Sequence, residues 1–174
     1  MAKHVALLRG INVGGHRKVP MAALRELAQE IGLGDPRTYV ASGNMVFESG
    51  EKPAALERKL EQAIEAKFGF DVDVIVRTAA QWADHVASNP FPEESRRSPG
   101  LVMLVIGREA ADDSAVERLR ARASGGERVE RRGGALWIWF ANGAGRSKIG
   151  LAGGKGVWTS RNWSTVLALH EMLG

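Results

Sequence analysis

Arg9, Gly10, Asn12, Gly14, Gly15, His16, Arg17 and Lys18 lie within a single short stretch of the chain. An apolar run, residues 5–8, leads into them, and Pro20 opens a helical pattern behind them. A strand, a glycine turn and a helix start together gather backbone N–H groups and the positive end of a helix dipole, which seats an anion. On this reading Arg9, Asn12 and Lys18 stand beside a backbone nest at Gly14 and Gly15. The same residues also make a tight turn whose glycines serve geometry alone and whose cations are solvated, and both readings stay open.

Three further loops carry related chemistry. Ser42-Gly43-Asn44 sits between two short strand patterns, and its default reading is a turn in which Asn44 tolerates an unusual φ. Its functional reading places two hydrogen-bonding side chains on the edge that carries the first loop. Residues 142–148 (Asn-Gly-Ala-Gly-Arg-Ser-Lys) again join a strand to an expected helix start. There Arg146 and Lys148 suit phosphate, and Ser147 suits a cap. Residues 159–162 open the last helix, offering orphan N–H groups, the Arg161 guanidinium and the Asn162 amide. A plain capping role for Ser160 or Asn162 competes with that reading.

Several chemistries are excluded. Gly10 and Gly15 have P-loop spacing, but His16-Arg17 stands where that motif needs Lys followed by Ser or Thr. No G-x-G-x-x-G occurs, and a hairpin follows the first helix, so a dinucleotide crossover is absent. The chain has no cysteine, which removes disulfides, thiolate catalysis and Cys-ligated metals. His4, His16, His85 and His170 share no ligand spacing, so no metal site is expected. No nucleophile elbow is present. Whether the chain is an enzyme stays open, with His16 the one candidate general base beside the first loop, and the question of a cofactor stays open with it.

The elements that must position these loops follow from periodicity. A strand over residues 5–9 precedes a helix over 20–31 with Leu24, Leu27 and Ile31 on one face. Strands over 37–40 and 45–48 precede a helix over 53–68. Leu56, Leu60, Ala63, Ile64 and Phe68 form its apolar stripe. A strand over 72–76 completes βαββαβ, the order of ferredoxin-like folds. After a short helix over 79–87, the prolines and charges of residues 89–99 read as a boundary. The order then recurs: strand 101–106, helix 110–123, strands 128–131 and 136–140, a helical piece over 148–152, strand 157–159 and a last helix from 162 to 173. The expected fold is α+β, with two ferredoxin-like lobes of antiparallel sheet, residues 1–88 and 99–174, plus a C-terminal helix. The central strands are apolar on both faces, so a cover is needed on the face that helices do not reach. Trp137 and Trp139 point to that face and are expected to be largely buried.

Charge is uneven. Residues 1–90 hold 11 basic and 11 acidic side chains, and residues 91–174 hold 13 and 9, so the second half supplies the net +4. A glycine-rich basic segment without acids, residues 131–170, suits phosphate or nucleic acid, although a solvated basic surface has the same composition. No apolar run reaches the roughly 20 residues of a membrane span, no signal peptide pattern opens the chain, and a cytoplasmic setting is expected.

The stretches ALLRGINVGG and RTYVASGNMVF, residues 71–78, Asn89-Pro90-Phe91-Pro92, Gly145-Arg146-Ser147-Lys148 and residues 159–165 together resemble the bacterial domain-of-unknown-function family numbered 1697. The resemblance covers essentially the whole chain. It implies a small bacterial cytoplasmic protein of two related α+β lobes with no established activity. Where the family pattern has Asn-Trp-Asn-Thr, this chain has Asn162-Trp163-Ser164-Thr165.

Three functional readings follow. In the first, a small phosphate- or carboxylate-bearing ligand sits in a basic, glycine-rich cleft between the lobes. Arg9, Asn12, Gly14, Gly15, Lys18, Ser42 and Asn44 would line it from one side, and Arg146, Lys148, Arg161 and Asn162 from the other. In the second, the basic half binds single-stranded nucleic acid, with Trp137 and Trp139 stacking bases. In the third, the basic loops contact an acidic protein.

Overall fold

The computed structural model describes every residue except Ala152, and Arg146 by its backbone alone. The chain divides into two compact units, Met1–Ala83 with Ala168–Gly174, and Asp84–Leu167.

In the first unit, β1 (Ala2–Leu8) leads to α1 (Met21–Glu30), the hairpin β2 (Gly34–Tyr39) and β3 (Asn44–Ser49), α2 (Pro53–Phe68) and β4 (Val74–Thr78). The sheet order is β2-β3-β1-β4. All neighbours are antiparallel, with Val5 opposite Val46 and opposite Arg77. This is the expected ferredoxin-like order, with the first and third strands central.

Helix α2 forms where its stripe predicts. Pro53 stands at its first turn, Leu56, Leu60 and Ile64 are buried, and Gly69 closes it at φ 82° with its N–H on the Glu65 carbonyl. Only glycine takes that left-handed cap without strain. Helix α1 buries Leu24, Leu27 and Ala28. Together these residues cover Ala6, Leu8, Met45, Phe47, Val74 and Val76 on one face of the sheet. Each such side chain contributes about 1.5–3 kcal/mol by leaving water. Val5, Leu7, Val46 and Ile75, on the opposite face, are buried as completely.

Helices α3 (Ala79–Ala87) and α4 (Pro92–Arg97) follow. Residues 89–99 thus hold a helix within the stretch expected as a boundary. The composition that reads as a linker also suits a helix: Pro92 at the start, Glu93 and Glu94 in the first turn, Arg96 and Arg97 in the last.

The second unit repeats the order with β5 (Val102–Gly107), α5 (Asp113–Ala121), β6 (Arg128–Arg132), β7 (Ala135–Trp139) and β8 (Trp158–Asn162), and α6 (Trp163–Leu173) starts in this unit and ends in the segment assigned to the first. Its sheet order is β6-β7-β5-β8, again antiparallel. One element differs. The connection from β7 to β8 contains a single 3-10 turn, Ala144–Arg146, and residues 147–151 are irregular where a helical piece was expected. Gly150, Gly153, Gly154 and Gly156 crowd this connection, and each raises the entropy a helix must overcome. Ala152, also in the expected helical piece, lies outside the described residues.

Val105, Leu136 and Ile138 pack under α5. On the other face Val102, Leu104, Ile106 and Trp137 are buried. Trp139 is half-buried, and the Arg128 guanidinium stands 6.0 Å from its ring centre. Among the described residues no helix is long and apolar enough to cross a membrane.

His4 is 2% exposed, stacked on Phe47 at 5.6 Å, with Nδ1 donating to the Ala2 carbonyl at 3.1 Å. Burial lowers its pKa, and the Ala2 hydrogen bond only partly offsets this. Unfolding returns the ring to the ordinary imidazole value of about 6.5. The unfolded chain therefore binds the extra proton first, and the stability from neutral His4 is complete above that pH and lost as pH falls through the folded value. Urea midpoints at about pH 7.5 and about pH 5 are expected to fall on acidification, and His4→Phe is expected to remove that component of the slope.

Candidate functional site

Residues 10–19 form a small braced hairpin. The His16 N–H donates to the Val13 carbonyl, and the Asn12 N–H to the Arg17 carbonyl, each at 3.0 Å. Gly14 and Gly15 turn the corner at φ 57° and 76°. Consecutive positive φ values match the twist of a two-residue hairpin.

Two side chains lock this hairpin in place. The Asn12 carboxamide donates to the Val19 carbonyl at 3.0 Å and to the Ala41 carbonyl at 2.7 Å, while its oxygen accepts from the Val19 N–H at 2.8 Å. One side chain thereby joins the hairpin, the approach to α1 and the β2–β3 loop. Arg17 donates from Nε to the Gly10 carbonyl at 2.8 Å and from Nη2 to the Asp71 carbonyl at 2.6 Å, with its guanidinium 5.2 Å above Phe70. No local pattern in the sequence marks Arg17 for this role, because its partner Asp71 is 54 residues away.

The β2–β3 loop is held as firmly. The Leu8 N–H donates to the Gly43 carbonyl at 2.8 Å. Gly43 has φ 96°, and a Cβ there would lie 2.8 Å from both Leu8 and Ile11. Asn44 is fully buried and donates to the Tyr39 carbonyl at 2.9 Å and to the Ser42 hydroxyl at 3.1 Å. The structure thus brings Arg9, Asn12, Gly14, Gly15, Lys18, Ser42 and Asn44 to one end of the first sheet. It assigns Asn12 and Asn44 to bracing. Arg9 pairs with Asp73 at 3.5 Å with half its side chain exposed. His16 and Lys18 are exposed and have no ion-pair partner among the described residues.

Backbone strain gathers in the same place. Four non-glycine residues have left-handed φ: Asn12 at 54°, Arg17 at 53°, Asp35 at 42° and Val40 at 51°. Three of these belong to the two facing loops. A β-branched residue such as Val40 is an outlier there. Val13 and Val40 are 64% and 50% exposed.

The candidate residues of the second unit have separate duties. Asn162 accepts from the Thr165 N–H at 3.0 Å and caps α6. Arg161 is 9% exposed and donates to the Thr159 hydroxyl and the Ser160 carbonyl, each at 2.8 Å. Burial lowers its pKa to about 10. Ser147 donates to Glu127 at 2.7 Å, and that bond holds the carboxyl below its ordinary value. Lys148 is exposed, and the Arg146 side chain lies outside the described residues. Trp137 meets Trp163 at 5.8 Å, its indole nitrogen without a partner among the described residues. No group of His and carboxylate residues suits a metal among the described residues.

Sequence reasoning missed Arg118 and Arg122. Their i, i+4 spacing on a predicted helix is the available signal, since it sets both guanidinium groups on one face.

A family model described as a protein of unknown function (DUF1697) matches residues 1–137. A solved structure, that of a conserved bacterial protein from Streptococcus pneumoniae, is 24% identical, covers 99% of each chain and has a TM-score of 0.78. At that identity the likeness concerns the fold. No curated protein matches the chain.

Asn12→Ala is expected to leave the Val19 N–H unpaired and release the loop from Ala41. A loss of about 1–3 kcal/mol in stability is expected, with faster hydrogen exchange at Val19 ahead of global unfolding. An unchanged Val19 exchange rate would remove Asn12 as the brace.

Proposed function

The chain belongs to the DUF1697 family of proteins of unknown function, and we propose that it binds a small anionic ligand, bearing phosphate or carboxylate, at the paired loops 9–19 and 40–44. The observation that carries this reading is the concentration of left-handed non-glycine backbone at Asn12, Arg17 and Val40 beside exposed cations. Such backbone costs about 1–3 kcal/mol per residue and persists where surrounding contacts over-determine it, commonly at ligand sites. Here the over-determination is visible in the hydrogen bonds of Asn12, Arg17 and Asn44.

In this proposal Arg9 and Lys18 attract the ligand, and His16 adds a donor from the hairpin. The backbone N–H groups of Gly14 and Gly15 lie at the turn, as in other anion-binding loops. Arg9 is available because its pair with Asp73 is long and half-exposed, and such pairs contribute little. The role is binding, with no reaction assigned. The absence of cysteine suits a reducing, cytoplasmic setting. Nucleic-acid stacking on Trp137 and Trp139 has less support, since Trp137 is fully buried.

Titration with inorganic phosphate and with citrate is expected to shift the Gly14 and Gly15 amide resonances saturably. Arg9→Ala and Lys18→Ala are each expected to weaken that binding about ten- to a hundredfold, with stability changed by no more than about 0.5 kcal/mol. Loop resonances that ignore both anions, or an Arg9→Ala chain that unfolds, would count against the proposal.

A further inference from the structure

The two units differ at one crossover, and the difference leaves a cleft. In the first unit α2 follows β3 and buries Leu56, Leu60 and Ile64 in the core that α1 also covers. In the second unit the corresponding connection, from β7 to β8, has no α-helix among the described residues. A cleft of about 670 Å³ opens between α5 and this glycine-rich loop, within the range of small-molecule sites, roughly 300–1,000 Å³.

Three of its lining side chains are basic, Arg118, Arg122 and Lys155, and two are acidic, Glu109 and Asp112, so the lining carries a net positive charge. Arg118 on α5 and Arg122, the C-cap of that helix, line one side, and Lys155 from the loop lines the other. A Cβ on Gly154 would stand 4.0 Å from Arg118 Nη2, and one on Gly150 would stand 3.9 Å from Arg122 Nη1. The two guanidinium groups therefore reach over backbone that carries no side chains. Arg122 and Lys155 are exposed and have no ion-pair partner among the described residues. Of the two lining carboxylates, Asp112 is occupied as the cap of α5, accepting from the Ala115 N–H and the Ser114 hydroxyl, each at 2.8 Å, and Glu109 is exposed.

The loop is anchored to the sheet. Trp158 is 4% exposed, and its indole N–H donates to the Lys155 carbonyl at 3.2 Å. A Cβ on Gly107 would lie 2.6 Å from its ring atoms, and one on Gly153 would lie 2.4 Å away. Glycine at both positions lets the indole pack flush against β5 and the loop, which fixes the backbone that bears Lys155.

We infer that this cleft is a second ligand site, for a phosphate monoester with an apolar or heterocyclic body. Paired guanidinium groups and an ammonium recognise the phosphate. Leu119, Ala115 and the Trp158 edge line the same cleft and offer apolar surface for the body. The volume exceeds what one inorganic phosphate fills, so the organic group adds affinity.

The test is titration of the full chain with phenyl phosphate, adenosine 5′-monophosphate and inorganic phosphate, following the Trp158 indole N–H resonance. Phenyl phosphate or the nucleotide is expected to shift it saturably, and inorganic phosphate to bind at least about tenfold more weakly. Arg118→Glu with Arg122→Glu is expected to weaken binding about a hundredfold or more. Lys155→Ala, on an exposed loop position, should weaken it about tenfold and guards against loss of fold in the double variant. Arg9→Ala should leave it unchanged, which separates this cleft from the loop pair of the first unit. The inference is overturned by no saturable shift up to about 10 mM of either ester. Equal affinity for inorganic phosphate would overturn it too, as would esters binding the double and Lys155 variants as tightly as the parent chain.

Discussion

Burial of the central strands on both faces is the constraint that the rest of the structure obeys. Val5 and Leu7 point one way and Ala6 and Leu8 the other, and all four are buried. Leu104 and Val105 repeat the pattern in β5. A strand so enclosed cannot slip register without driving its whole apolar set to the wrong face. The loop after such a strand therefore starts from a fixed point. Arg9 follows Leu8 directly, and its N–H donates to the Asp73 carbonyl at 3.0 Å, so the residue that leads into β4 fixes where the hairpin begins.

From that point, bracing by polar side chains takes over from apolar packing. The hairpin tip buries little, and Val13, Gly14, Gly15 and His16 are exposed. Without hydrogen bonds from outside, such a loop would sample many conformations, at about 1–2 kcal/mol of ordering entropy per residue. Asn12 and Arg17 offset that cost through hydrogen bonds to Val19, Ala41, Gly10 and Asp71. A position meant only to connect β1 with α1 needs none of this. In the proposed role such bracing would serve the cations beside it, because preorganisation reduces the ordering cost of binding.

Periodicity and composition made most of the fold legible. The stripe Leu56, Leu60, Ile64 named α2 and its buried face, and the apolar runs named the central strands. Local composition is ambiguous where one set of residues suits two structures. Pro92, Glu93, Glu94, Arg96 and Arg97 lie in the stretch expected as a domain boundary and form α4. Residues 148–151 read as helix, and the surrounding glycines keep them irregular. At the loops, glycine spacing located the hairpin but not its braces. Asn12 looked like a ligand contact because an amide beside a glycine turn suits either duty. Its pairing with Ala41 comes from the fold and has no local signal in the sequence. Arg161 looked like a surface cation at a helix start. Its place in β8 opposite Leu104 turns it into the sheet's buried face instead.

The resemblance between the units also shows where they differ. Each sheet needs its helical face covered. In the first unit two helices do this, and the solvent-facing chemistry is confined to the loops at the end of the strands. In the second, α5 covers that face, and among the described residues Ile149 and Trp158 from the β7–β8 connection and β8 complete the apolar cover. A bulky indole does the work of a helix stripe only if backbone can approach it closely. Gly107 and Gly153 supply that approach, and a Cβ on either would collide with the ring. Gly153 therefore both disfavours a helix and lets its replacement pack. The loop that results is anchored at Trp158 and bare of side chains where Arg118 and Arg122 reach across it. Basic residues that would be solvated on an ordinary helix surface here face a concave wall. Concavity, together with fixed charge, is what separates a binding surface from a merely basic one.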